Sequence, residues 1–233
     1  VGSLRSFGGL VGTNSGTITG CYATGAVTGC DWVGGLVGSG GTITNCYATG
    51  AVTGRNQVGG LVGSDGTITN CYATGAVTGN TNLGGLVGQL GSGTLAASFW
   101  DITTGGPDNG VGSGLPTAQM QQRATFESAG WNLTETWYIF EGMTYPQLAG
   151  IPMPVDSIGA LQTLAHVEIG SFFLTRDIDA RETLSWGDKS TLPGFIPIGT
   201  AATPFNGTLD GRGHRIFGLH IHRPDEDGVG LFG

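Results

Sequence analysis

Five groups of residues in this 233-residue chain have types and spacings that could do chemistry. Asp177 and Asp179 are two apart in TRDIDA, so a strand there sets both carboxylates on one face. Paired carboxylates are what a polysaccharide hydrolase needs, and a lyase needs carboxylates with a base. Asp210, Arg212 and His214 in TLDGRGH offer a second such group, although Asp-Gly is first of all a turn dipeptide. His220 and His222 share a strand face and with His214 make a candidate metal set; the plainer reading is solvent-facing or partly packed side chains. Asp225, Glu226 and Asp227 are a calcium candidate, against the default of a charged loop. Cys21, Cys46 and Cys71 recur every 25 residues. They read as free, buried thiols filling space, with one bridge inside the row as the alternative, since an odd row cannot pair completely. Zinc would call for a CxxC pair, and the sequence has none. The expected assignment is no catalytic residue, no cofactor and no metal.

These groups must be positioned by a repeat. GGLVG begins at Gly8, Gly34, Gly59 and Gly84, in steps of 26, 25 and 25, and CYATGAVTG begins at Cys21, Cys46 and Cys71. A period in this range marks units that stack because one alone cannot bury its apolar face. Each unit holds short runs of Val, Ile, Thr and Tyr (GTIT, CYA, AVT and a GLV run) broken by Gly or Asn, which read as strands and turns. Twenty-five residues at about 3.3 Å trace roughly 80 Å, one circuit of a small three-sided coil, with successive coils about 4.8 Å apart. The expected fold is all-β dominated: a parallel β-solenoid, then a small helix-containing connector and the start of a second solenoid.

In such a coil equivalent residues stack. The inward rows are Ile18, Ile43, Ile68 and Leu95; Leu10, Leu36, Leu61 and Leu86; Val27, Val52 and Val77; and the cysteines, with Ala23, Ala48 and Ala73 facing the same way. By alternation Tyr22, Tyr47 and Tyr72 face outward, continued by Phe99. Thr17, Thr42, Thr67 and Thr94, with Thr19, Thr44 and Thr69, flank the inward Ile and form a second outward lattice. The tyrosines and Thr42, Thr44, Thr67 and Thr69 are therefore the candidate contact rows. The threonines resemble the Thr-x-Thr faces of ice-binding solenoids, although Thr is also a good strand residue on a solvated face. Glycine is expected where a corner needs positive φ or a close backbone approach. Cys30 lies at a corner of the first coil, beside a one-residue insertion.

The net charge of −8 is unevenly spread: from Ser6 to Gln122 the sole basic residue is Arg55, and the acids are Asp31, Asp65, Asp101 and Asp108. That surface offers no footprint for nucleic acid or an anionic membrane, and no apolar run is long enough to insert in a bilayer. The 46 glycines would suggest disorder if aperiodic, but here they are locked to the repeat. The chain opens within a unit and stops in VGLFG, as a fragment of a longer protein would.

Three regions are expected: residues 1–97 as the solenoid, 98–150 as connector and cap, and 151–233 as a helix-capped second solenoid. In the connector, AQMQQRATF after Thr117 reads as a helix of two to three turns. Trp131, Trp137, Tyr138, Phe140 and Tyr145 form an aromatic cluster that closes the solenoid's open end, or alternatively stacks on sugars. Further on, Ile158, Leu161 and Leu164 lie at helical spacing behind Asp156 or Ser157 as cap. SFFLTRDIDA is a strand candidate, and IFGLHIH alternates like another coil.

The units VGGLVGSDGTITNCYATGAVTG resemble the GLUG motif, a repeat of large bacterial surface proteins that include haemagglutinin-like exoproteins and the immunoglobulin A metallopeptidase family. The resemblance covers Phe7 to Trp100. The connector and the stretch LTRDIDA…GFIPIGT…PFNGTLDGRGHRIFGLHI are similar to segments that accompany these repeats in filamentous-haemagglutinin-like adhesins. The motif consists of core and corner residues, so the resemblance implies an architecture and carries over no catalytic position. A peptidase of that kind would need HExxH, a string this chain lacks.

The function expected is a non-catalytic structural or adhesive segment, a stalk, spacer or fibre element, of a large extracellular or surface-attached bacterial protein. Its partners would be other copies or segments of the same protein, glycans or host cell-surface ligands. The alternatives are a carbohydrate-binding or carbohydrate-active β-helix and ice binding through the Thr face.

Overall fold

The computed structural model describes residues 5–187 and 192–233; the part of the first unit before Arg5 lies outside them. Two compact units are present. One runs to Met120 and takes in Ala124–Trp131, and the other comprises Gln121–Arg123 and Asn132–Gly233. The connector expected over 98–150 is thus divided between them.

The first unit is a parallel β-solenoid of about four turns. Its second coil holds five short strands, Asp31–Gly34, Val37–Ser39, Thr42–Thr44, Tyr47–Ala48 and Val52–Thr53. Each pairs in parallel with its counterpart in the next coil: Val33 with Val58, Val37 with Val62, Ile43 with Ile68, Tyr47 with Tyr72 and Val52 with Val77. Like residues therefore stand over one another, and every ladder bond runs along the stacking axis. The apolar runs alone reveal four strands per coil. The additional one, Asp31–Gly34 and its equivalents Asn56–Gly59 and Thr81–Gly84, is hidden because its first residues change from copy to copy.

Ile43, Ile68, Leu36, Leu61, Leu86 and Val52 are fully buried, while Leu10 is 47% exposed and Ile18 half-buried in the first coil, which packs on a neighbour on one side. The GGLVG glycines serve close approach. A Cβ on Gly60 would lie 2.1 Å from the Gly85 carbonyl oxygen and 3.0 Å from the Ala73 Cβ, so coil can meet coil there only without a side chain. Positive φ falls mainly on other residues: Asn45 and Asn70 (both φ 52°) turn the corner between the Thr and Tyr strands, a conformation Asn tolerates.

The fourth coil closes the core itself. Trp100 takes the place of the alanine row, paired with Ala73 and buried. Ser113–Leu115 then adds in parallel to Phe99–Asp101. Asn109 donates from Nδ2 to the carbonyls of Val87 (2.8 Å) and Gly88 (3.1 Å), and the Gly85 amide finds the Pro107 carbonyl at 2.9 Å. Part of the last coil's open edge is thereby satisfied. Of the aromatics expected to close the end, Trp131 packs instead against the outward row at Tyr72 and Phe99. The helix read after Thr117 is two short pieces, Thr117–Met120 and Arg123–Ser128.

The second unit builds its own core from Tyr138, Phe140, Val155, Leu161, Phe172, Leu174 and Phe195. Pro152–Val155, Ser171–Leu174 and Thr208–Asp210 form a parallel three-stranded sheet, and Ile178–Asp179 pairs in parallel with Ile216–Phe217. Pro152 faces Ser171 and Ser171 faces Thr208, offsets of 19 and 37 that leave no period to read. The helix Ile158–Thr163 starts where expected, with Ser157 Oγ accepting from the Ala160 amide at 3.3 Å.

Candidate functional site

Two outward faces and one inward row of the solenoid, with the acids and histidines of the second unit, are the places where function could reside. On the Thr face, Thr42 pairs with Thr67 and Thr44 with Thr69, extended by Thr17, Thr19 and Thr94. Thr17, Thr67 and Thr94 are exposed, and Thr42, Thr44 and Thr69 half-buried. Thr94 donates to Thr67 between hydroxyls at 3.4 Å. The result is a flat array of hydroxyls and methyls that no charge interrupts.

The tyrosine row corrects the expectation of an open contact surface. Tyr22 is 43% exposed, but Tyr47 and Tyr72 are at 5% and 1%. The three rings stack at centroid distances of 5.1 and 4.9 Å. Trp131 lies 6.4 Å from Tyr72 and 6.0 Å from Phe99, and Phe126 meets Phe99 edge-on at 5.3 Å. Trp131 is fastened by its Nε1, which donates to the Ala97 carbonyl at 2.9 Å. Burial, with a smaller effect from Tyr22, pushes the Tyr47 phenol up to about 12. The aromatics that were a sugar-stacking alternative are interior as well: Trp131, Trp137, Tyr138 and Phe140 are buried and Tyr145 half-buried.

All four cysteines are free thiols, with Cys46 and Cys71 buried, Cys21 half-buried and Cys30 exposed. Each thiol in the row has polar work as well as bulk. The amides of Cys21 and Cys46 donate to the Sγ of Cys46 and Cys71, both at 3.4 Å, while those thiols donate to the Thr44 and Thr69 carbonyls at 3.2 and 3.1 Å. The corner at Asn45 and Asn70 interrupts the ladder and leaves an amide that only a side chain can satisfy. Ser98 is the row's fourth member, accepting from the Cys71 amide at 3.1 Å and donating to Ala96 at 2.8 Å. Burial holds the Cys71 thiol well above its usual range and raises Cys21 also.

One polar cluster went unread in the sequence. Asp31 binds Arg55 through Nη2 at 2.9 Å and Asn56 through Nδ2 at 2.6 Å, and Thr81 donates to Asn56 Oδ1 at 2.7 Å. Hydrogen bonds from Arg55 and then Asn56 hold the Asp31 carboxyl below its ordinary value. The signal was present: Asp31, Asn56 and Thr81 share one repeat position, beside Arg55, the sole basic residue between Ser6 and Gln122.

In the second unit the candidate carboxylates Asp177, Asp179 and Asp210 are each tied to a basic residue. Asp179 is held by Arg181 Nε at 2.9 and 3.0 Å, which pulls its carboxyl down to about 2. Asp177 accepts from the Arg215 amide at 3.1 Å and from its Nη2 at 3.0 Å, with His214 Nδ1 at 3.4 Å, and is lowered chiefly by the amide. A general acid needs the opposite shift. Asp210 accepts from the Arg212 amide at 3.0 Å as a turn residue, and the Arg212 guanidinium covers the Phe173 ring at 3.5 Å. His220 and His222 stack with ring centroids 6.4 Å apart, and Glu226 pairs with Arg223 at 2.9 Å. Among the described residues no three His, Cys, Asp or Glu side chains gather as a metal set.

With this geometry in view, residues 3–28, 33–53 and 54–78 match the family model of the GLUG motif. Three stretches of the solenoid are GLUG repeats. Halomucin of Haloquadratum walsbyi is 43% identical over 90 residues, which is 35% of this chain and 1% of that protein. A Gly-rich membrane protein of Evansella cellulosilytica is 41% identical over 81 residues, 31% of this chain and 9% of that protein. The chain therefore matches a small part of the length of each relative. No solved structure matches it. The matched stretches contain much of what the geometry singles out: glycines of coil-to-coil approach such as Gly60, Ile18, Ile43 and Ile68, Leu36 and Leu61, and the thiols that accept backbone amides. Among the described residues no helix is long and apolar enough to cross a membrane.

Proposed function

We propose that this chain is a non-catalytic structural segment, a stalk, spacer or fibre element, of a large repeat protein displayed at the cell surface or secreted. The observation that carries the reading is the register: the solenoid coils, three of them matched by the GLUG motif, stack residue on residue, with hydrogen bonds along the axis and a polar, almost uncharged exterior. Stacking of this kind gives extension and stiffness with little sequence information. The names of the relatives, a halomucin and a Gly-rich membrane protein, support a place outside the cell. Copies of the same protein, glycans or surface ligands of other cells are the partners such a segment would meet.

Two measurements test it. Antibody raised against the purified chain should label unpermeabilised parent cells or their culture supernatant; labelling that needs permeabilisation refutes the location. Incubation with a polysaccharide panel should release no new chain ends; release would replace the structural reading with the carbohydrate-active one. The in-register Thr lattice supports ice binding as a second reading, and thermal hysteresis that Thr67→Lys abolishes would establish it.

A further inference from the structure

The second unit contains two Asn-x-Thr triplets, Asn132-Leu133-Thr134 and Asn206-Gly207-Thr208. This is the acceptor pattern for asparagine-linked glycans on surface loops of exported proteins, and neither triplet has the forbidden proline in its middle. The two differ in what the asparagine amide is doing. Asn132 is locked: its Oδ1 accepts from the Thr134 amide (3.1 Å), the Thr134 hydroxyl (3.0 Å) and the Glu135 amide (2.9 Å), and its Nδ2 donates to Glu135 at 3.0 Å. The middle residue, Leu133, is buried. That triplet is a closed turn in which both ends of the carboxamide are committed. Asn206 is exposed and its Nδ2 makes one long bond, 3.3 Å, to the Pro204 carbonyl. Thr208, also exposed, opens the edge strand Thr208–Asp210 of the parallel sheet, its hydroxyl 3.2 Å from Ser171 Oγ. Beside it lies an open groove of about 580 Å³, lined by Gly170, Ser171, Asn206 and Thr208 and also by Thr134 and Glu135 of the other triplet's turn; it leaves room for a first sugar, and the state of the two asparagine amides is what separates the triplets.

We propose that Asn206 is a glycan acceptor and that Asn132, in the folded chain, is not. The proposal rests on the extracellular reading above, because the transferase acts on exported chains. The donor is a saccharide linked to a polyprenyl phosphate or diphosphate. Asn206 Nδ2 attacks the anomeric carbon and an N–C bond forms. The bond from that carbon to the phosphate oxygen breaks, the lipid phosphate leaves with the electron pair, and the Nδ2 proton passes to a base of the transferase. Nothing is oxidised or reduced.

The test incubates the full folded chain with a purified oligosaccharyltransferase and a polyprenyl-diphosphate-linked saccharide, and reads site occupancy by peptide mass spectrometry. A synthetic peptide spanning 203–211 serves as the positive control. One glycan is expected, on Asn206, with modification of Asn132 slower by at least about tenfold, the factor that freeing even one of its hydrogen bonds costs. Asn206→Gln and Thr208→Ala should abolish it, Thr208→Ser should retain it, and Asn132→Gln should leave it unchanged. An unmodified folded chain beside a modified peptide, or occupancy at Asn132 equal to that at Asn206, overturns the assignment. The assay is independent of where the parent protein resides, so its failure leaves the surface reading intact. A failure of antibody labelling on cells would instead remove the exported setting in which the transferase meets the chain, whatever the purified reaction shows at Asn206.

Discussion

The backbone amide of Cys46 donates to the Sγ of Cys71 one coil away, at 3.4 Å, and the amide of Cys71 repeats the contact with the Oγ of Ser98 at 3.1 Å. A sulfur atom is thus the acceptor for an inward-pointing amide, and a hydroxyl serves equally at the last coil. Cys71→Ser should therefore cost under about 1 kcal/mol. Cys71→Val, which fills the space but accepts nothing, should cost about 1–3 kcal/mol by orphaning the Cys46 amide. Urea midpoints of the two variants decide it. A valine variant as stable as the serine one would reduce the row to plain filler.

The same row fixes thiol reactivity. Cys30 is exposed, while burial raises Cys71 and Cys21, and the thiolate is the reacting form. A disulfide reagent added to the native chain should modify Cys30 first, Cys21 slowly, and Cys46 and Cys71 only with denaturant present. Equal rates at Cys30 and Cys71 would contradict the buried row.

The repeat made most of the first unit legible, because each of three near-identical copies reports the same alternation and the registers Ile43 to Ile68 and Val52 to Val77 follow from it. What escaped came from outside the period. Tyr47 and Tyr72 look outward within their own coil, and no local pattern announces that the non-repeating Phe126 and Trp131 will cover that face. Asp31 was missed for the converse reason: its equivalents are Asn56 and Thr81, so a continuous polar ladder reads as three unrelated letters. In the second unit, unequal offsets between paired strands removed the signal altogether.

Burial of Tyr47 has a consequence in alkali. Its phenol ionises near 12 in the folded chain against an ordinary value of 10, so the unfolded state releases its proton first. The contribution is whole below pH 10 and is lost as pH rises from 10 to 12. The melting temperature should fall across that window, and Tyr47→Phe should shrink the fall. An identical alkaline slope in the variant would place the phenol in solvent.

Asp31 acts at the other extreme. Arg55 and Asn56 depress its carboxyl, so the linked stability is present above the unfolded pKa and disappears as pH falls through the lower folded one. Asp31→Asn should flatten the acid limb of the melting curve below about pH 4 while moving the neutral value little, as befits an ion pair whose Arg55 side chain is 60% exposed. Melting temperatures from pH 2 to 7 with the variant parallel to wild type throughout would assign the acid limb to other carboxylates.

Glycine at the coil-to-coil contact is the sharpest test of the stacked architecture. A methyl at Gly60 would press within 2.1 Å of the Gly85 carbonyl oxygen, whereas one at Gly25 meets nothing within 4 Å. Neither backbone has positive φ, so the comparison isolates space from conformation. Gly60→Ala should cost about 3 kcal/mol or more, at the upper end for overpacking, because the obstacle is backbone and cannot rotate away. Gly25→Ala should be neutral or stabilise by up to about 1 kcal/mol, by restricting the unfolded chain. The two substitutions are chemically identical, so any common effect on helix or strand propensity cancels. Equal urea midpoints would mean that successive coils lie farther apart than parallel ladders require, and the GLUG glycines would need another reason to recur.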